Sequence, residues 1–292
     1  MSPLALSLVL VAAALHAWWN LVIKQAQADD RFVLLVALSI LVLWAPVGVW
    51  VAWDSVPAWG WAQWVAVMAS GCVHVVYFRC LLRGYRESDL TVVYPVARGT
   101  GPLLASAGAI VLLGEAITAF GAAGVLAITA GVFLVAGGPA LWRATHDPAR
   151  RERVRKGLAW GGATGVLICT YTLIDGYAVK VLLVSPLLVD YAGNLFRLPM
   201  LLPAALRHPD GIGVVWREKR RAILFVATVS PLAYILVLYA MRLAPLSHVA
   251  PAREVSMLFA AIVGGRLLGE GDRGPRIAGA ACIALGVVAL AS

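Results

Sequence analysis

Two stretches of the chain are copies of one another: RGTGPLLASAGAIVLLGEAITAFGAAGVLAITAG at residues 98–131 and REVSMLFAAIVGGRLLGEGDRGPRIAGAACIALG at residues 253–286. They share the pattern R-x13-LLGE-x8-G-x6-G without a gap, at a constant offset of 155 residues that takes Arg98 to Arg253. Further identities in the same register are Leu103/Leu258, Ala105/Ala260, Ala123/Ala278 and Ile128/Ile283. Agreement of this length indicates an internal repeat, so the two halves of the chain are expected to share one fold.

The composition around these copies is that of a protein embedded in lipid. Hydrophobic residues make up 61% of the chain and charged residues 13%, whereas soluble proteins carry about 45–50% and about 25%. A membrane-spanning helix needs roughly 20 apolar residues, and runs of that length recur from end to end. Because barrel strands are about half as long and alternate in polarity, the runs predict an all-α polytopic membrane protein.

Charges, prolines and glycines divide the apolar sequence into ten predicted transmembrane helices, five in each half. Since five is odd, the second copy must insert upside down, so we expect two inverted five-helix repeats. The first repeat is placed at residues 1–137, a basic cytoplasmic linker at 138–156 and the second repeat at 157–292. The ten predicted helices lie near residues 2–23, 32–53, 61–82, 89–113, 118–137, 157–180, 183–205, 221–241, 247–268 and 275–291.

Lysine and arginine are concentrated in alternate loops. Nineteen of the 24 lie near residues 24–31, 79–88, 138–156, 206–221 and 266–276. By the positive-inside rule these loops are cytoplasmic, which places both termini on the outer side of a plasma membrane, the inner membrane of a bacterium. Topology and anionic lipid headgroups therefore explain the net charge of +9, and no nucleic-acid partner is predicted.

Enzyme and metal motifs are absent from the sequence. It has no HExxH, no GxSxG and no GxxxxGK[ST] segment, so we predict that the chain is not an enzyme and binds no cofactor. The four cysteines lie inside apolar runs without metal-ligand spacing, at Cys72, Cys80, Cys169 and Cys282. No metal site is predicted.

Charged residues inside the predicted helices are the leading functional candidates, because a charge at the centre of a spanning helix costs about 2.5–3.5 kcal/mol on insertion scales. Arg98 and Arg253 each follow a proline and could hold a carboxylate or phosphate by forked hydrogen bonds. Structural ion pairing, for instance of Arg253 with Glu254 or Asp190, is the alternative. The candidates for proton coupling are Asp175, Asp190 and Glu254, together with His16 and His74.

Uncharged polar residues recur at helical spacing and should face the interior of the bundle. His16 and Asn20 lie four residues apart, and the repeat offset carries them to Tyr171 and Asp175. Such residues either line a substrate cavity or join neighbouring helices by hydrogen bonds. The candidate substrate-binding residues are His16, Trp18, Asn20, His74, Tyr77, Arg98, Tyr171, Asp175, Asn194, Arg197, Tyr234 and Arg253.

Three segments carry a family resemblance: His16-Ala17-Trp18-Trp19-Asn20 with Lys24, then Tyr94-Pro95-Val96-Ala97-Arg98, and the two LLGE copies. Through them essentially the whole chain resembles the EamA-type ten-span transporters of the drug/metabolite transporter superfamily. The resemblance implies a secondary transporter that moves a small metabolite by alternating access. The arginines inside the bundle favour an anionic or zwitterionic substrate. A lipid-linked sugar flippase of the same fold, and less readily an intramembrane enzyme, are the alternatives.

Two further features concern helix ends and helix contacts. Glu115 and Glu270 each follow a glycine at the end of a predicted helix, which favours helix-end and loop roles over binding. Gly161-x-x-x-Gly165 and Gly265-x-x-x-Gly269 place small residues on one helix face and permit close contacts. These contacts are either internal or between protomers, so a homo-oligomer remains open.

Overall fold

The computed structural model describes residues 1–136, 151–207, 211–259 and 273–291, and within these ranges the chain is helical with no strand. Short 3-10 helices lie at Val56–Ala58 and Arg253–Val255. The α-helices are α1 (Pro3–Gln25), α2 (Asp30–Leu43), α3 (Ala45–Ser55), α4 (Trp61–Glu87), α5 (Leu90–Leu113), α6 (Ala119–Val135), α7 (Arg151–Lys180), α8 (Pro186–Ala205), α9 (Ile212–Leu243), α10 (Leu246–Ala252) and α11 (Arg273–Ala291). Residues 138–150 of the predicted linker, the second LLGE segment with Glu270, and Gly265 fall outside these ranges.

Several helices are long and apolar enough to cross a membrane. In the described ranges six qualify on length and composition: Pro3–Gln25, Trp61–Glu87, Val92–Leu113, Arg151–Lys180, Ile212–Leu243 and Gly274–Ala291. α2 and the segment Ala45–Ala58 qualify together as a seventh, and α6 is a shorter apolar helix. The prediction of an all-α polytopic membrane protein is confirmed, while the count of ten spans stays a prediction.

One predicted span, residues 32–53, is bent by 60° where α2 meets α3. Pro46 stands in the first turn of α3, directly after the break at Trp44. A proline has no backbone N–H and its ring collides with the carbonyl four residues before it, so the helix cannot continue straight through this position. The hydropathy of the segment is unaffected by the bend, which is why the sequence indicated one unbroken helix.

Two helices begin earlier than the sequence indicated. α9 starts at Ile212 rather than at residue 221, and α7 starts at Arg151 rather than at residue 157. Both extensions are rich in arginine, lysine and glutamate, which are good helix formers in water. Their charge marks the edge of the membrane rather than the end of the helix.

Glycines of the repeat set the closest helix contact. A Cβ added at Gly124 would lie 2.8 Å from the Gly286 carbonyl oxygen. A Cβ added at Gly131 would lie 2.6 Å from the Gly279 carbonyl oxygen. Because the earlier residue of α6 meets the later residue of α11, the two helices run antiparallel. The offset of 155 residues carries Gly124 to Gly279 and Gly131 to Gly286. The contact of Gly124 with Gly286 is therefore equivalent, under the repeat, to the contact of Gly279 with Gly131.

Helices of the first 137 residues pack mainly on helices of the later residues. α7 packs against α4 and α5, α9 packs against α1 and α2, and α2 packs against α8. Under the repeat, the pair of α4 with α7 corresponds to the pair of α1 with α9. The buried core formed by these contacts surrounds the polar residues described next.

Candidate functional site

Four aromatic rings from three helices meet inside the bundle. The His74 ring of α4 stacks on Tyr171 of α7 with ring centroids 3.9 Å apart. Tyr77 lies 5.4 Å from Tyr171, and Tyr234 of α9 meets His74 edge-on at 5.8 Å. The structure thereby brings four of the predicted site residues into one cluster, to which helices on both sides of the predicted linker contribute.

Asp175 lies one turn beyond Tyr171 and is fully buried. Its Oδ2 accepts a hydrogen bond from the Tyr234 hydroxyl, while Oδ1 has no hydrogen-bond partner in the part of the chain that the structure describes. Ser70, which the sequence reasoning missed, places its hydroxyl 3.3 Å from His74 Nδ1. Its position four residues before His74 in an apolar helix is the signal that could have identified it.

Arg98 forms an ion pair across the bundle. Its Nη2 lies 2.8 Å from Glu254 Oε2, and the Glu254 side chain is 1% exposed. Arg98 Nη2 also donates to Ser256 Oγ at 3.5 Å. The sequence reasoning offered Arg253 as the partner of Glu254, but the carboxylate instead pairs with the other repeat arginine.

Arg253 is also buried, with 7% of its surface exposed, and it opens the 3-10 segment Arg253–Val255 that follows Pro251. In the described ranges it forms neither an ion pair within 4.0 Å nor a hydrogen bond. Its electrostatic neighbours include Tyr171 and Tyr234 of the aromatic cluster. Glu254 is a further electrostatic neighbour. Among the described residues, Arg253 is therefore a buried cation beside aromatic rings without an ion pair or hydrogen bond of its own.

A second polar group lies on α8. Asn194 donates hydrogen bonds to the Asp190 carbonyl at 2.9 Å and to Asp190 Oδ2 at 3.0 Å, and both side chains are buried. Arg197 lies one turn further, its Nε buried without a hydrogen-bond partner among the described residues. Arg197 interacts electrostatically with Asp190, Asp175 and His74, which connects this group to the aromatic cluster.

The predicted residues of the first helix divide into two groups. His16 meets the Trp19 ring edge-on at 4.8 Å and interacts electrostatically with Arg98 and Arg253. Trp18 is 58% exposed and packs on Phe225, and the exposed Asn20 donates to the His16 carbonyl of its own helix. His16 thus lies beside the charged residues, whereas Trp18 and Asn20 lie outside the cluster.

Glu115, which the sequence placed in a loop, joins three segments at one end of the bundle. Its Oε1 accepts from Lys180 Nζ at 2.6 Å and from the Leu246 amide at 2.8 Å, and its Oε2 accepts from the Ser247 amide at 2.8 Å. Burial raises the pKa of the Glu115 carboxyl, but the hydrogen bonds from Lys180, Ser247 and Leu246 outweigh burial and hold the pKa below its ordinary value. We call this arrangement the Glu115 latch.

The side chains of the cluster limit the chemistry that it can perform. Among the described residues no three of His, Cys, Asp and Glu are placed together to hold a metal ion. The side chains present offer a cation, carboxylates, phenols and imidazoles in a buried setting. Such groups can bind a charged ring-bearing molecule and exchange a proton with it.

Comparisons with known proteins bear on the family and the fold. Residues 155–292 match the EamA-like transporter family. One of 27 matching solved chains, the crystal structure of a protein, aligns with a TM-score of 0.70 over 98% of this chain and 95% of that chain. Its sequence identity of 19% shows a shared fold alone. None of the curated proteins matches the sequence.

Proposed function

We propose that the protein is a secondary transporter that carries a small metabolite across the membrane by alternating access, because residues 155–292 match the EamA-like transporter family. This match supports the EamA-type, drug/metabolite transporter prediction, and the apolar helices support a multi-pass membrane protein. The finer statements about substrate, coupling and orientation are our proposals.

The observation that carries the proposal is the buried polar cluster between helices on both sides of the linker. Ionisable residues inside a membrane bundle are rare and mark substrate or proton pathways by default. Here they include Arg253, which has no bonded counter-ion among the described residues, and Asp175, whose Oδ1 has no partner. A structural network would be expected to satisfy these groups, because unpaired buried polar atoms are costly.

The charges of the cluster favour an anionic or zwitterionic substrate. The ion pair of Arg98 with Glu254 is neutral. Of the remaining charges, Arg197 interacts electrostatically with Asp190 and Asp175, and Arg253 interacts with Asp175. When a proton occupies either aspartate, the cluster carries a net positive charge and attracts an anion. We propose that Arg253 binds the anionic group of the substrate and that Asp175 or Asp190 takes up the coupling proton.

The other predicted residues receive roles according to the contacts described above. We propose that His16 and the rings of His74, Tyr77, Tyr171 and Tyr234 line the substrate position. We assign Asn194 and Arg197 to the adjoining α8 group. We assign Trp18 and Asn20 to the outer rim of the substrate site, because they lie outside the aromatic cluster. Glu254 serves as the structural partner of Arg98 rather than as a coupling group.

The Glu115 latch suggests how one end of the pathway is closed. It connects the loop after α5, the end of α7 and the start of α10, which lie on both sides of the linker. We propose that these bonds hold the face opposite the basic loops closed and break when that face opens. The positive-inside distribution makes this the outer face of a plasma membrane, with both termini outside.

The test is transport by purified protein in proteoliposomes. A panel of labelled amino acids, monocarboxylates and dicarboxylates is offered with and without a pH gradient, and wild type is compared with Arg253→Met. The matched control is Arg86→Gln, because Arg86 is an exposed cation on the basic face. We expect a panel member to accumulate with wild type and control but not with Arg253→Met.

Two results would count against the proposal. Wild-type rates in the Arg253→Met protein would remove Arg253 from the substrate position. Movement of a fluorescent lipid-linked sugar between leaflets, without movement of any soluble panel member, would support the flippase alternative instead.

A further inference from the structure

A cavity of about 500 Å³ lies at the basic end of the bundle, between the end of α1 and the start of α9. On one side its lining consists of Val22, Gln25 and Ala26 of α1. On the other side the lining consists of residues 217–222 at the start of α9. This cavity is separate from the polar cluster and is formed by helices from different halves of the chain.

The lining is strongly cationic. The lining includes Arg217, Lys219, Arg220 and Arg221 but only one carboxylate, that of Glu218. Outside the lining, Asp29 interacts electrostatically with Lys219. In the part of the chain that the structure describes, none of the three arginines forms an ion pair, and Lys219 donates only to the Gln27 carbonyl at 3.5 Å. Guanidinium groups are suited to phosphate because their planar fork makes paired hydrogen bonds to its oxygens.

The cavity lies at the boundary between water and lipid. Its last lining residue, Ala222, begins the apolar run of α9, and Ile223 next to it is fully buried. Trp216, just before the lining run, is the kind of residue that anchors a helix at this level. Arginines at the end of an apolar spanning helix, as here, lie at the level of the lipid phosphates.

The repeat shows that these charges are not needed for helix packing. At the offset of 155 residues the counterparts of residues 217–221 are Ala62, Gln63, Trp64, Val65 and Ala66 at the start of α4. The corresponding pair, α4 with α7, therefore packs with no charge in this position. The positive-inside rule accounts for the sign of the charges on α9, but it does not require four of them around one cavity.

We propose that this cavity binds a phosphate-bearing anion, held by Arg217, Arg220 and Arg221 between α1 and α9. The ligand is the headgroup of an anionic phospholipid or a free phosphate, which share the chemistry that these arginines recognise. Because α1 and α9 lie in different halves, the bound anion bridges the two halves at the basic face.

The experiment measures retention of lipid and of phosphate by the full chain in detergent. Native mass spectrometry with phosphatidylglycerol and with phosphatidylcholine reports lipid binding, and a thermal shift with inorganic phosphate reports the free anion. The site variant is Arg217→Gln/Arg220→Gln/Arg221→Gln. The matched control, Arg86→Gln/Arg151→Gln/Arg155→Gln, removes three exposed arginines from the same face.

We expect wild type and control to bind phosphatidylglycerol at least about tenfold more tightly than the site variant, since each cation near anionic lipid strengthens binding. Competition by inorganic phosphate, or a thermal shift with phosphate alone, would assign the site to the phosphate group itself and support the proposal. Equal loss in both variants would overturn it in favour of diffuse surface charge. Equal retention of phosphatidylcholine by wild type would also overturn it.

The three substituted arginines are exposed, so loss of the fold is not expected to obscure the result. A single charge reversal, Arg220→Glu, gives an independent measurement. Unchanged phosphatidylglycerol and phosphate binding in this variant would also contradict the proposal.

Discussion

Arg98 in α5 and Arg253 after α10 occupy the same position of the repeat but have different surroundings. Arg98 lies in a continuous helix and pairs with Glu254 at 2.8 Å. Arg253 opens a 3-10 segment and, within the described ranges, has no bonded partner. The residue that follows explains the difference: Glu254 corresponds to Gly99, where an added Cβ would lie 2.4 Å from the Phe133 ring.

A repeated scaffold has therefore acquired an asymmetric charge distribution. If the pairing were symmetric, both arginines would be neutralised and no buried cation would remain. Because Glu254 pairs with Arg98, we propose that Arg98 serves structure and that Arg253 is available to bind substrate. This difference separates stability from substrate binding, and each of the following predictions tests that separation or the symmetry around it.

The largest effect is expected from removing the partner of Arg98. Glu254→Gln leaves Arg98, whose side chain is 17% exposed, without its counter-ion. Breaking a buried pair in this way costs about 3–5 kcal/mol, and the partial exposure of Arg98 places the expected cost at the low end. We expect a large fall in the melting temperature of the purified protein, measured by intrinsic fluorescence. The double variant Arg98→Met/Glu254→Leu should recover most of the loss, because it removes both charges. A double variant no more stable than Glu254→Gln would contradict the pairing.

The opposite pattern is expected at Arg253. Arg253→Met removes a cation with no bonded counter-ion, so stability should be kept or raised, while a substrate that binds through this charge loses about 2–5 kcal/mol of affinity. The measurement is substrate binding by thermal shift or calorimetry, where the loss is roughly 30-fold or more. Loss of stability comparable to that of Glu254→Gln would show that Arg253 is structural.

The sequence predicts the parts of this site that depend on hydropathy and on the repeat. It does not predict the parts that depend on contacts between helices. Hydropathy and the repeat predicted a polytopic helical membrane protein, and the cost of intramembrane charge drew attention to Arg98, Arg253 and Asp175. Which arginine pairs with Glu254 depends on contacts between helices distant in sequence. Side-chain spacing along one helix carries no information about that choice.

Other differences have local physical causes. The bend at Trp44 depends on where Pro46 falls within an apolar run, and the early start of α9 at Ile212 depends on charged residues that favour helix in water. Trp18 and Asn20 share a motif with His16, but only His16 comes near the buried charges. Position in a motif did not predict which face of the helix points inward.

The glycine contacts test the symmetric part of the comparison. Gly131→Ala and its repeat counterpart Gly286→Ala each introduce a Cβ within 2.6 Å of a neighbouring atom of the facing helix. Overpacking of this kind costs about 1–3 kcal/mol, and we expect the two variants to lose similar stability in thermal unfolding. Gly162→Ala is the control, since a Cβ there meets nothing within 4 Å. A markedly unequal loss would mean that the contact of α6 with α11 is not symmetric.

The most condition-dependent effect is expected at the Glu115 latch, because it is present only while the carboxyl is ionised. The hydrogen bonds from Lys180 and the amides of Ser247 and Leu246 hold the pKa of Glu115 below its ordinary value, despite the opposing effect of burial. A carboxyl whose pKa is lowered on folding stabilises the protein above its unfolded pKa of about 4.3, and this stability is lost as pH falls through the folded pKa. Hydrogen bonds to charged groups contribute about 1.5–3 kcal/mol, so Glu115→Gln should lower the melting temperature at pH 7 but less below pH 4.

The repeat counterpart of Glu115 sharpens this last prediction. The offset of 155 residues carries Glu115 to Glu270 and carries Lys180 back to Gln25, so the repeat has no lysine at the position that corresponds to Lys180. We therefore expect Glu270→Gln to lose less stability at pH 7 than Glu115→Gln, with a weaker dependence on pH. The measurement is the melting temperature of both variants and wild type between about pH 3.5 and about pH 8, a range that extends from below the ordinary carboxyl pKa to well above it. Equal losses with equal pH profiles would show that the ion pair with Lys180 does not distinguish the two faces, and that the asymmetry of the molecule is confined to its buried arginines.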